Sequence, residues 1–138
     1  MTADTATTAT AATSVTTGMI DKTAAGEITT RLAKEVYISV DIESSGPIPG
    51  EYSMLSLGAC VVGDTTKTFY REFKPITDKY LKEALKVSGI SLDELRGSGV
   101  EPKHGMLEFE NWIKAVSNGK RSVLVAFNAT FDWMFVSY

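Results

Sequence analysis

The chain has 138 residues, 43% of them apolar, which suits one domain with a sizeable core. Its 14 Lys and Arg stand against 17 Asp and Glu, a net charge of −3. That balance excludes a strongly basic, histone-like nucleic-acid binder, but not an enzyme that meets phosphates through metal ions. One cysteine, Cys60, and one histidine, His104, exclude an internal disulfide, a multi-cysteine zinc site and a multi-histidine cluster. No apolar run reaches the ~18 residues of a membrane span. The chemistry left over rests on carboxylates.

Residues 1–30 are low in complexity: from Thr2 to Thr17 only Asp4, Ser14 and Val15 interrupt Thr and Ala. So few large apolar groups cannot offset the entropy of ordering, so a disordered tail is expected there, with no secretory or mitochondrial pattern. The folded domain is expected over 31–138. Val36, Ile38, Val40 and Ile42 alternate with Tyr37, Ser39, Asp41 and Glu43, the period of a strand with one apolar face. The Ser/Gly/Pro run 44–50 breaks it. A second strand is expected over about 53–62, a hairpin connection over 63–67 and a third strand over 68–73, making an antiparallel meander.

Thr77 or Asp78 caps an expected helix that runs to about Val87 and stops at Gly89. Ser91 and Glu94 fit a capping box for a short helix ending near Gly97. Pro102 opens a longer helix, with Met106, Phe109, Ile113 and Val116 at helical spacing. The apolar run 122–127 reads as a buried strand, as in a parallel sheet covered on both faces. After Asn128 the pattern turns helical again. The chain ends at Tyr138 inside an apolar segment, from which truncation, or completion by another segment, is expected.

Asp41 and Glu43 lie two residues apart on one strand face, where like charges repel unless a hard divalent cation stands between them. Asp132 follows the apolar run in a strand–turn–helix setting. If that run pairs in parallel with the first strand, Asp132 reaches the same sheet end, where open α/β sheets bind ligands. Three carboxylates there would form an oxygen-ligand site for Mg²⁺ or Mn²⁺.

Asp41-Ile42-Glu43-Ser44-Ser45-Gly46 resembles the Asp-x-Glu-(Ser/Thr)-(Ser/Thr)-Gly motif of the DEDD-type, DnaQ-like 3′–5′ exonucleases, and Asn128-Ala129-Thr130-Phe131-Asp132 resembles their second motif. The resemblance covers about residues 36–138 and favours the histidine (DEDDh) branch. It implies an α/β, ribonuclease H-like mixed sheet, an antiparallel meander plus a parallel strand with flanking helices, its C-terminal part missing. It also implies hydrolysis of the terminal phosphodiester at a 3′ end with two Mg²⁺ or Mn²⁺ ions, about 3.5–4 Å apart in such sites. Asp41 would bridge the ions, Glu43 would hold the one that activates water, and Asp132 would hold them directly or through water. Ser44, Ser45 and Gly46 would lie against the terminal nucleotide, with Met54 and Leu55 near its base. Phe131 would pack behind the site, and Asn128 would order the turn. The implied partner is a single-stranded or frayed 3′ end of DNA or RNA, with a homodimer left open; the lack of targeting signals points to the cytoplasm, and no membrane partner is expected.

The family's third motif, a His or Tyr a few residues before a fourth Asp, is not supplied. His104 lies upstream of the second motif, with Phe109 where that Asp should fall. The expectation is a chain inactive or nearly so by itself. A non-catalytic module binding nucleic acid or protein is the alternative. Trp112, Trp133 and Cys60 are expected in the core, His104 and the scattered lysines at the surface.

Overall fold

The computed structural model describes residues 26–30 and 34–138, so of the tail expected to be disordered over 1–30 all but the last five residues lie outside the described residues. Residues 26–30 are helical, with Thr30 Oγ1 donating to the Gly26 carbonyl. Four strands form where the sequence predicts them: β1 (Glu35–Ser44), β2 (Met54–Val61), β3 (Asp64–Glu72) and β4 (Arg121–Val125). They form one mixed sheet in the order β3-β2-β1-β4, antiparallel except for the parallel β1–β4 pair. Four helices, α1 (Lys82–Ser88), α2 (Leu92–Ser98), α3 (Pro102–Ser117) and α4 (Ala129–Val136), flank it. This is the ribonuclease H-like arrangement that the sequence implies. Among the described residues no helix is long and apolar enough to cross a membrane.

Ile38, Val40 and Ile42 of β1 join Leu57 and Ala59 of β2 under Phe73, Phe109 and Phe135. Phe69, Phe109 and Trp112 interlock, with ring centroids 5.2 Å apart for Phe69–Phe109 and 5.8 Å for Phe69–Trp112. A Cβ on Gly105 would come within 2.5 Å of the Phe73 ring, so the glycine is what lets α3 close on this cluster. A second cluster joins Leu55 to Leu92 and Leu95.

Several boundaries differ from the sequence expectation. The β2–β3 connection is only Val62–Gly63, because Asp64 already pairs with Val61 and Gly63 takes the left-handed conformation (φ 86°) that a two-residue turn needs. Helix α1 begins at Lys82, not Thr77 or Asp78. Backbone groups of residues 76–81 are bonded to two serines elsewhere in the chain, and Thr77 Oγ1 accepts from Lys79 N–H in a local turn. Strand β4 is an edge strand whose apolar residues are only half-buried, since no described strand lies beyond it; Phe127, read as part of a buried run, is fully exposed. Trp133 is 58% exposed and not in the core. Cys60 is half-buried on the polar side of the sheet.

Candidate active site

Alternation along β1 turns Ser39, Asp41 and Glu43 away from the core. Register places Gly58 beside Asp41, and Tyr70 beyond it; Ser56 and then Glu72 stand beside Glu43. This side of the sheet is polar and largely open, and Gly58 leaves the ground next to Asp41 free of a side chain. A bulge between Glu43 and Ser44 ends the regular pairing where the motif turns into its loop.

Asp132 reaches the same strand end by a different route. Strand β4 pairs with β1 only as far as Ser39–Val125, so β1 runs on past its parallel neighbour. Beyond that point the Ile42 amide donates to Asp132 Oδ1 at 3.1 Å, a side chain taking the place of the missing ladder. Asp132 sits in the first turn of α4, where the helix dipole favours a carboxylate, and is only 6% exposed. Burial pushes its carboxyl above the ordinary aspartate range; the Ile42 amide pulls it part of the way back, and the charge of Asp41 adds to the rise. Glu43 is likewise raised, first by burial and then by Asp41.

Asp41 thus stands between two carboxylates that its charge disfavours. None of the ion pairs among the described residues includes Asp41, Glu43 or Asp132. In the same residues no three acidic, histidine or cysteine side chains converge closely enough to enclose an ion. The donor chemistry suits a hard divalent cation.

The residues expected against a nucleotide divide into supports and surface. Ser45 and Leu55 are 0% exposed; the first is hydrogen-bonded within the fold and the second is core, so neither side chain can touch a ligand. Ser44 Oγ donates to the Gly46 carbonyl at 2.8 Å, shaping the turn. A Cβ on Gly46 would overlap the Tyr52 ring, and Met54 packs against the main core. Asn128 is the exposed N-cap residue of α4, accepting from Thr130 Oγ1 at 3.2 Å. Phe131 rests against Phe135 with centroids 5.3 Å apart. It also lines an open depression of about 300 Å³ with Ile42, Glu43, Ser44 and three residues of α1: Glu83, Ala84 and Val87. His104 lies exposed in the first turn of α3.

No model of a known protein family matches the chain. A curated relative does: it is 46% identical over 109 residues to the 3′–5′ DNA exonuclease Cap18 of Escherichia coli, covering 78% of this chain and 58% of that protein. This match supports a DnaQ-like 3′–5′ exonuclease superfamily for the chain. It spans 58% of the length of the curated relative that it matches. Solved members of the superfamily share the fold at lower identity. Product-bound exonuclease I superposes over 75% of this chain and 24% of its own, with a TM-score of 0.56 and 19% identity. The nuclease domain of 3′hExo, a DEDDh family member bound to rAMP, superposes over 70% of this chain and 53% of its own, with a TM-score of 0.56 and 12% identity. The zinc-bound complex of E. coli exonuclease I with single-stranded DNA gives a TM-score of 0.55 at 19% identity, over 75% and 23%.

Within this superfamily fold, the sequence reading missed the wall formed by α1 and the neighbour Tyr70. Val87 is an apolar residue off the half-buried side of its helix, two positions before Gly89, and that misfit was the available signal. Tyr70 shares a strand face with Thr68 and Glu72, which, once the strand register is known, puts it on the carboxylate side.

Proposed function

We propose that this chain is a metal-dependent 3′–5′ exonuclease that removes nucleotides from single-stranded DNA ends by a two-metal reaction. The supporting observation is that Asp41, Glu43 and the amide-held Asp132 share the end of β1, close enough for the charge of Asp41 to raise the other two carboxyls, with no ion-pair partner among the described residues. The carboxylate donors fit Mg²⁺ or Mn²⁺. Bound there, the ions would supply Lewis acidity toward the scissile phosphate and a water of lowered pKa. Asp41, Glu43 and Asp132 would hold the ions, and Glu43 would also orient the attacking water. Phe131 and the α1 wall would confine the terminal nucleotide beside Glu43. DNA is favoured over RNA by the name of the relative. With His104 exposed on α3, no imidazole beside the carboxylates is assigned as base, so slow turnover by these residues alone is expected.

The test compares a 5′-labelled linear single strand with a circular one, each with Mn²⁺. The expected outcome is shortening from the 3′ end only, lost in Asp41→Ala. Cleavage of the circle, or unchanged cleavage in the variant, would contradict the proposal.

A further inference from the structure

Helix α1 is poorly equipped to hold its own position. It has seven residues, none buried, and its N-cap residue Leu81 makes no side-chain capping bond. So short a segment gains little from helix formation alone, and its placement must come from tertiary contacts. Part of that support comes from Leu85, which packs at the rim of the Leu55 cluster.

The rest comes from the nuclease motif itself. The Leu81 amide, at the foot of α1, donates to the Ser45 carbonyl at 2.8 Å. Ser45 Oγ donates to the Lys79 carbonyl and accepts from the Ser53 amide, each at 2.9 Å. The Ser45 amide in turn donates to the Ser53 carbonyl at 2.8 Å, which closes the loop between them. Ser53 Oγ accepts from the amides of Ile76 (3.0 Å) and Thr77 (3.2 Å). Both serines are 0% exposed. Residues 76–81 are therefore hung from two buried hydroxyls, one of which is two positions from Glu43.

We infer that Ser45 is a positioning residue whose buried hydroxyl and carbonyl fix where α1 stands over Glu43, and so set the grip on a 3′-terminal nucleotide. The inference rests on the exonuclease reading and adds a link to it. Residues Glu83, Ala84 and Val87 face Glu43, Ser44 and Phe131 across the depression, so a shift of α1 changes its width without touching a carboxylate. Ser45→Ala leaves the Lys79 carbonyl and the Ser53 amide without partners.

Three readouts test it on the whole chain: amide exchange of residues 76–81, affinity for a 5′-labelled oligothymidylate in Ca²⁺ by anisotropy, and the rise in melting temperature with Mn²⁺. In Ser45→Ala, exchange at Leu81 should speed up about tenfold and the oligonucleotide should bind about tenfold more weakly, the scale of one lost hydrogen bond. The Mn²⁺ response should stay as in the wild type, and Ser45→Thr, which keeps the hydroxyl, should restore affinity. Leu81→Pro removes the amide donor at an exposed position, and carries the test if Ser45→Ala fails to fold. Unchanged affinity in a folded Ser45→Ala chain, or in Leu81→Pro, would overturn the inference. A wild-type chain that binds no oligonucleotide would instead overturn the exonuclease reading, while faster exchange in Ser45→Ala would still support the tether.

Discussion

The two faces of β1 come from one stretch of ten residues and obey opposite rules. Ile38, Val40 and Ile42 are enclosed by aromatic side chains from α3, α4 and the end of β3, and each contributes by losing contact with water. Asp41 and Glu43, one residue away in each case, face polar neighbours and one another's charge. The buried face stabilises the domain; the open face holds groups that the fold alone gives no reason to gather. Such a division is what a site built on a rigid strand requires, because repulsion between carboxylates is tolerated only where the other side of the strand is firmly packed.

The sharpest way to break this contrast is from the buried side. Phe109→Ala should lower unfolding free energy by about 3–5 kcal/mol in a urea titration, whether or not metal is present. A loss below about 1 kcal/mol would mean that the Phe69–Phe109–Trp112 cluster is not the core's anchor.

Asp132 belongs to both sides, and two substitutions separate its roles. Asp132→Ala orphans the buried Ile42 amide and should cost about 1–3 kcal/mol without metal. Asp132→Asn keeps an oxygen for that amide and removes the charge that Asp41 repels, so metal-free stability should stay level or rise by up to about 1 kcal/mol. Equal losses in both variants would mean that the charge, not the hydrogen bond, supports α4.

The same repulsion gives stability a sign with pH. The Asp132 and Glu43 carboxyls titrate above their unfolded values, so the folded chain keeps protons that the unfolded chain has already released. Their contribution is fully present below the ordinary carboxylate range and is lost as pH rises through the raised values. In metal-free buffer, melting temperature should therefore fall across that interval, and less so in Asp132→Asn. A profile identical in that variant would count against the electrostatic account. The smallest effect belongs to the solvent side of α4: Trp133→Ser should change stability by about 0.5 kcal/mol or less, and a larger loss would show that the exposed ring is packed in solution.

What could be read from the chain was local. The alternation of β1, the left-handed stop at Gly89, the Ser91 cap and Pro102 at the start of α3 all act within a few residues, and each lies where the pattern put it. The misplaced start of α1 had a cause 34 residues away, the bond from Ser45 to the Lys79 carbonyl. Composition also misjudged Trp133 and Phe127, because an apolar residue says nothing of whether a neighbour covers it. For the carboxylates, spacing placed Asp41 and Glu43 on one face, but the Ile42 amide that holds Asp132 depends on β4 stopping short, which only the sheet register reveals. Ser45 was legible as a motif residue and not as a buried tether.

The most direct measurement is the melting temperature of the chain with and without Mn²⁺, for the wild type and for Asp41→Ala. Saturation at about a hundred times the dissociation constant should add about 2.7 kcal/mol to the wild type and nothing to the variant. An equal shift in both would contradict the reading of the β1 carboxylates as a metal site.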